Sequence, residues 1–119
     1  MADDGIAALQ ERLRDFAARR NWEQYHTPKN LAMALAAEVG ELLEHFQWLT
    51  AEESLAIRDD EAAMNGVTDE IADVMIYLVR LADVLGVGLI EAAGVKVDRN
   101  EQRFESSTVK TWSPRREPH

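Results

Sequence analysis

Two short stretches carry the residues able to do chemistry. In "EVGELLEHF", residues 38–46, Glu38 and Glu41 stand one helical turn apart; in "EIADVMIYL", residues 70–78, Glu70 and Asp73 repeat that spacing. On a helical wheel at about 100° per residue, Glu38, Glu41, His45 and Trp48 fall on one continuous stripe beside the apolar stripe of Leu35, Val39, Leu42 and Phe46. The second stretch behaves alike, with Glu70, Asp73 and Tyr77 beside Val67, Val74, Leu78 and Leu81. The two segments align without gaps, Glu38 with Glu70, Glu41 with Asp73 and His45 with Tyr77, as a local pseudo-repeat. Solvated like charges one turn apart cost only ~0.2–0.5 kcal/mol. Four carboxylates packed between two helices are another matter: at ~4 Å and an effective dielectric near 20, each like-charge pair costs on the order of 4 kcal/mol. Protons or a cation must then neutralise them. Hard oxygen ligands in a chain without cysteine favour Mg²⁺ or Mn²⁺ over zinc.

The elements that position these acids read as helices throughout. Ile6, Leu9, Leu13 and Phe16 recur at spacings of 3 and 4, which predicts a first helix of about four turns. "RRNWEQYHTPKN" breaks that period and reads as a connector. Thr27 before Pro28 is an N-cap followed by a first helical position, so a second helix is expected from Pro28 to about Trp48. "TAEE" at 50–53 has the form of a capping box and opens a short helix, or resumes the previous one after a kink. Asn65-Gly66 either ends a turn or sits inside a long helix. From Val67 the pattern is helical to Leu85, with Gly86 as the C-cap. A last helix covers about Leu89 to Phe104, and the polar tail 105–119 is expected to be loose. Gly40 is expected to keep its helix thin where another helix packs. The fold class is therefore all-α, a four-to-five-helix arrangement with a single domain over residues 1–104.

The totals narrow the functions. With 119 residues the chain has one domain's worth of sequence. No cysteine is present, which excludes a disulfide framework and a thiolate nucleophile or metal site and suits a reducing cytoplasm. The N-terminus is acidic with no long apolar run, unlike a secretory signal, and no segment reaches the ~20 apolar residues of a membrane span. A net charge of -9 argues against binding a nucleic acid polymer. It does not oppose small phosphorylated ligands, because a bound divalent cation reverses the local field.

The pattern ExxE, a long spacer, then ExxD resembles the MazG-like nucleoside triphosphate pyrophosphohydrolases. "FAARRNWEQYHTPKNLAMALAAEVGELLEHFQW", "DEIADVMIYLVRLAD" and "KVDRNEQRF" are similar to the dCTP pyrophosphatase branch of that family, over roughly Leu9 to Phe104. The resemblance implies an all-α Mg²⁺ enzyme that cleaves a nucleoside triphosphate to monophosphate and pyrophosphate. Glu38, Glu41, Glu70 and Asp73 would ligate the metal, with Mn²⁺ as a substitute, and Glu41 would hold or deprotonate the attacking water. Trp22 and Trp48 would hold the base, although core packing is an equal alternative for either ring. Tyr77 would lie against the sugar. His26 would lie near the base or phosphates, or else serve the Thr27-Pro28 turn. Lys96, Asn100 and Arg103, which share a helix face at spacings of 4 and 3, would supply donors to the phosphates and base. The resemblance also implies a homo-oligomer, dimeric or tetrameric, of which a tetramer is favoured, and the helix from Val67 to Leu85, apolar nearly all round, agrees with an oligomer.

Three readings follow. One is a pyrophosphohydrolase of dCTP or modified dCTP that cleans the nucleotide pool. Another is the same chemistry on dUTP or a broader set of triphosphates. The last is a non-enzymatic helical protein that binds metal or nucleotide.

Overall fold

The computed structural model describes residues 4–104, so the expected loose tail, 105–119, lies outside the described residues. Those residues fold into five α-helices, α1 (Asp4–Arg19), α2 (Pro28–Glu44), α3 (Ala51–Ala56), α4 (Glu61–Leu85) and α5 (Leu89–Arg103), with short 3-10 turns at Glu23–Tyr25 and Ile57–Asp59. No strand occurs among the described residues. The all-α expectation is met, with five helices. Residues up to Val87 form one compact unit, and residues from Gly88 form another.

Local chemistry sets most boundaries in the first unit. The Thr27 hydroxyl accepts from the Asn30 N–H, and Pro28 takes the first turn of α2. Thr50 and Glu53 close the expected capping box reciprocally at 3.1 and 2.8 Å, so α3 is a separate helix. Asp60 caps the Ala63 N–H and starts α4 upstream of Asn65-Gly66, which therefore lies inside a 25-residue helix. Gly86 ends that helix in the left-handed region at φ 74°. Its N–H bonds Asp83 O at 3.1 Å and the next N–H, of Val87, reaches back to Ala82 O at 2.8 Å. That six-to-one closure is a Schellman cap. Asn21, at φ 56°, closes α1 in the same way, with Trp22 N–H on Ala17 O at 2.9 Å and Asn21 N–H on Ala18 O at 3.1 Å. Asn is the residue after Gly that best tolerates that backbone.

Two expectations are corrected here. Helix α2 stops at Glu44, not near Trp48. The N–H groups of His45 and Phe46 turn to Leu42 O and Leu43 O, tightening the last turn as the chain heads for the Thr50 cap. The core stripe holds except at two positions, with Val67 buried and Leu35, Leu42, Phe46, Val74 and Leu81 half-buried. Val39 and Leu78 are 47% and 41% exposed, whereas Leu31, Val67, Val79 and Ala82 are buried. The reason is that α4 receives α1 as well as α2. It therefore buries more than one face, and its contact with α2 includes Glu70, against Glu38.

Burial at Leu31 and Val79 is nearly complete, at 2% and 1% exposure, and each such side chain stabilises by roughly 1.5–3 kcal/mol. Arg80 is the polar residue buried with them. In the second unit, α5 starts at Gly88 without a side-chain cap and ends with the Arg103 guanidinium 5.7 Å from the centre of the Phe104 ring. Among the described residues no helix is long and apolar enough to cross a membrane.

Candidate active site

Helices α2 and α4 run antiparallel. Their order is fixed by three contacts: His45 against Gly66, Glu38 against Glu70, and His26 against Arg80. As the number rises along α2 it falls along α4. Because the two helices carry the same aligned text, antiparallel pairing brings Glu38 opposite its own counterpart, Glu70. Glu38 and Glu70 are thus half-buried where the two helices meet, with Glu41 beside them on the exposed side.

Glu38, Glu41 and Glu70 each offer a carboxylate oxygen, and these oxygens all lie within 4.8 Å of one another. Glu38 and Glu70 are half-buried, and Glu41 is exposed. The Glu38 carboxyl is pushed up from 4.5 to about 7. The first cause is its hydrogen bond with Glu41; desolvation, the Glu41 charge, a hydrogen bond with Glu70 and the Asp73 charge follow. Without a cation, then, the cluster is relieved by holding a proton, as the like-charge argument requires. The other expected ligand, Asp73, is half-buried one turn beyond Glu70 and acts on Glu38 through its charge; it is outside the three gathered within 4.8 Å. Glu70 Oε2 is shielded from water and has no hydrogen-bond partner. A buried carboxylate oxygen left so costs free energy that a hard divalent cation would recover. The donor set of oxygens alone fits Mg²⁺ or Mn²⁺.

The other expected site residues are distributed along α2 and α4 and beyond. Tyr77 is half-buried one turn past Asp73, on the same line of α4. Trp22 follows the α1 cap and packs edge-on to Phe16, ring centres 5.6 Å apart, with 44% of its surface exposed. Trp48, 86% exposed, belongs to the turn after α2 and so leaves the stripe that a longer helix would have given it. The two indoles therefore flank opposite ends of α2, a 17-residue helix about 25 Å long at 1.5 Å per residue. His26 accepts a hydrogen bond at Nδ1 from Arg80 Nε at 3.1 Å, two turns of α4 beyond Asp73. Burial, then the Arg80 charge, holds the His26 imidazole below its ordinary pKa. Lys96, Asn100 and Arg103 lie in α5 with the spacing expected of one face.

Sequence reasoning missed two features. Gly66, not Gly40, is the glycine at a close approach: a Cβ there would stand 2.9 Å from His45 Cε1, whereas one at Gly40 would meet nothing within 4 Å. Within the single chain the close approach expected at Gly40 is made at Gly66 instead. The other is the ion chain in which Arg14 donates twice to Asp83, at 2.7 and 2.6 Å, and Asp83 lies 3.4 Å from Arg80 Nη1. A basic residue interrupting the apolar run "IYLVRLAD" was the available signal.

The chain, whose antiparallel α2 and α4 bring ExxE against ExxD, belongs to the MazG-like family, whose profile matches residues 33–112. Among solved structures it is similar to a pyrophosphatase from Archaeoglobus fulgidus, 42% identical with a TM-score of 0.76, covering 85% of this chain and 93% of that one. Curated relatives include dCTP pyrophosphatase 1 of Bos taurus, 43% identical over 76% of this chain and 53% of the relative. Another is dCTP pyrophosphatase 1 of Homo sapiens, 41% identical over 83% of this chain and 58% of the relative. The chain thus spans a little over half the length of the curated relatives it matches.

Proposed function

We propose that this chain hydrolyses a nucleoside triphosphate, dCTP or modified dCTP, to the monophosphate and pyrophosphate with Mg²⁺ as cofactor, in the cytoplasm and in the service of nucleotide-pool cleaning. The observation that carries this is the gathering of Glu38, Glu41 and Glu70, with a shielded Glu70 oxygen lacking any donor. The relatives named above favour dCTP as the substrate.

Glu38, Glu41, Glu70 and Asp73 would hold the cation, which would supply positive charge against that developing on the phosphate oxygens. Glu41 is the most exposed of the three gathered acids and is suited to meet a solvent molecule. Its carboxylate would take the proton as the water oxygen bonds to phosphorus and the α–β bridging bond breaks. Tyr77, one turn beyond Asp73, would lie against the sugar. Lys96, Asn100 and Arg103 would supply cationic and amide donors to phosphate and base. His26 would serve the base end through the Trp22 connector.

Trp22 precedes and Trp48 follows α2, a helix about 25 Å long, which favours rings from two copies over two rings of one chain closing on one base. A base held between them takes Trp22 from one copy and Trp48 from another. The exposed Val39 and Leu43 of α2 and Ile71, Met75 and Leu78 of α4 offer the apolar surface for such a homo-oligomer, for which we favour a tetramer.

The test is product analysis by ³¹P NMR with purified protein, Mg²⁺ and a panel of dNTPs and NTPs, beside Glu41→Ala at matched folding. Monophosphate and pyrophosphate from dCTP, lost in the variant and without metal, is the expected result. Turnover spread over dUTP or other bases would replace the substrate assignment. No turnover of any triphosphate would leave a non-enzymatic metal- or nucleotide-binding protein.

A further inference from the structure

Arg80 has no part in the chemistry above, yet it is the buried cation of the first unit, at 8% exposure between Val79 and Ala82 on α4. A guanidinium so placed is tolerated only when its donors are used. One is given to Asp83, which lies 3.4 Å from Nη1 and is itself held by Arg14 of α1. Another, Nε–H, is given at 3.1 Å to His26 Nδ1, across 54 residues of sequence. The His26 ring lies 6.4 Å from the Trp22 ring, centre to centre. Trp22 in turn abuts Phe16, which carries the Arg20 guanidinium 3.6 Å from its ring centre. The connector between α1 and α2 is thus pinned at two ends, by the α1 cap and by Arg80.

We infer that Arg80 is a positioning residue that fixes His26 as its Nε2–H tautomer, and so presents a neutral hydrogen-bond donor beside Trp22 to an acceptor atom on the bound base. A neutral imidazole has one N–H; if Nδ1 accepts from Arg80, the proton must sit on Nε2. The groups facing the ring agree. Arg80 on α4 disfavours a second cation there, Glu23 on the connector favours one, and Asp83 is already engaged by Arg14 and Arg80. Burial adds to the side of the neutral ring. An Nε2–H donor matches a carbonyl or an unprotonated ring nitrogen, both of which a cytosine offers. A stacking indole selects for flatness only, so a fixed donor at its edge adds a preference that stacking lacks.

This inference rests on the assignment of Trp22 to base binding, and the experiment separates the two. Long-range ¹H–¹⁵N spectra of the full chain with ¹⁵N-histidine report the tautomer directly and need no turnover. The expected pattern is a neutral His26 with its proton on Nε2 in the wild type, lost to a tautomer mixture in Arg80→Met. In the steady state, Arg80→Met is expected to raise KM for dCTP about tenfold, the value of one well-placed hydrogen bond, with kcat within about twofold. Because Arg80→Met also leaves Asp83 to Arg14 alone and can unfold the chain, His26→Asn is run beside it. Its carbonyl can accept from Arg80 where Nδ1 stood, but it lacks the Nε2–H, so the same rise in KM is expected with an unchanged melting temperature. A wild-type proton on Nδ1, an Arg80→Met spectrum like the wild type, or a His26→Asn variant with unaltered KM would each overturn the inference. Absence of any dCTP turnover in the wild type would instead remove the proposed function, and the spectra would still decide the tautomer.

Discussion

The carboxylate cluster makes a prediction about protons that can be worked from Glu38. In the metal-free fold its carboxyl sits at about 7, against an ordinary 4.5, first because of its hydrogen bond with Glu41 and then because of desolvation and the neighbouring charges. Between those two values the folded chain holds a proton that the unfolded chain has released. Stability of the metal-free protein through this group therefore falls as pH rises from about 4.5 to 7, and the loss is complete above 7. A divalent cation binds the ionised carboxylates, so its binding must expel that proton. At pH 6 about one proton leaves per ion and at pH 8 almost none, which makes affinity rise about tenfold across the interval. Calorimetric titration of Mg²⁺ or Mn²⁺ in two buffers of different ionisation enthalpy measures both quantities. Glu38→Gln should flatten the pH dependence of the metal-free melting temperature. Equal affinity at pH 6 and pH 8, with no proton exchanged at pH 6, would refute the reasoning: the acids would then be solvated independently.

The remaining expectations concern packing. Gly66→Val should lower the melting temperature and weaken metal binding, because even a Cβ would stand 2.9 Å from His45 Cε1 at the α2–α4 contact next to the acids. Gly40→Ala, by contrast, should stabilise by about 0.5–1 kcal/mol as an open helix-interior site; a loss in urea titration would mean that another copy's helix packs on it. Leu31→Ala should cost roughly 2–5 kcal/mol in the same titration, since a side chain with 2% exposure leaves a cavity. Removing the capping box with Thr50→Ala should cost about 1 kcal/mol and leave metal affinity unaltered, because it acts only on the entry to α3.

What the sequence determined by itself was chemistry that acts over a turn or two. The Thr27-Pro28 start, the Thr50/Glu53 box, the Gly86 stop and the one-turn spacing of Glu38 with Glu41 and of Glu70 with Asp73 are local properties, and each appears where its residues predicted. Tertiary structure decided whatever depends on which face meets which. A wheel gives the angle between stripes but not the line along which a second helix lands, so it marked Val39 and Leu78 as core although they stay 47% and 41% exposed. It likewise assumed a helix long enough to carry Trp48, whereas the chain turned at Glu44 to reach its next cap. Gly66 against His45 and Arg80 against His26 join residues 21 and 54 positions apart; no periodicity encodes them, because close approach and buried pairing exist only once α2 lies antiparallel on α4.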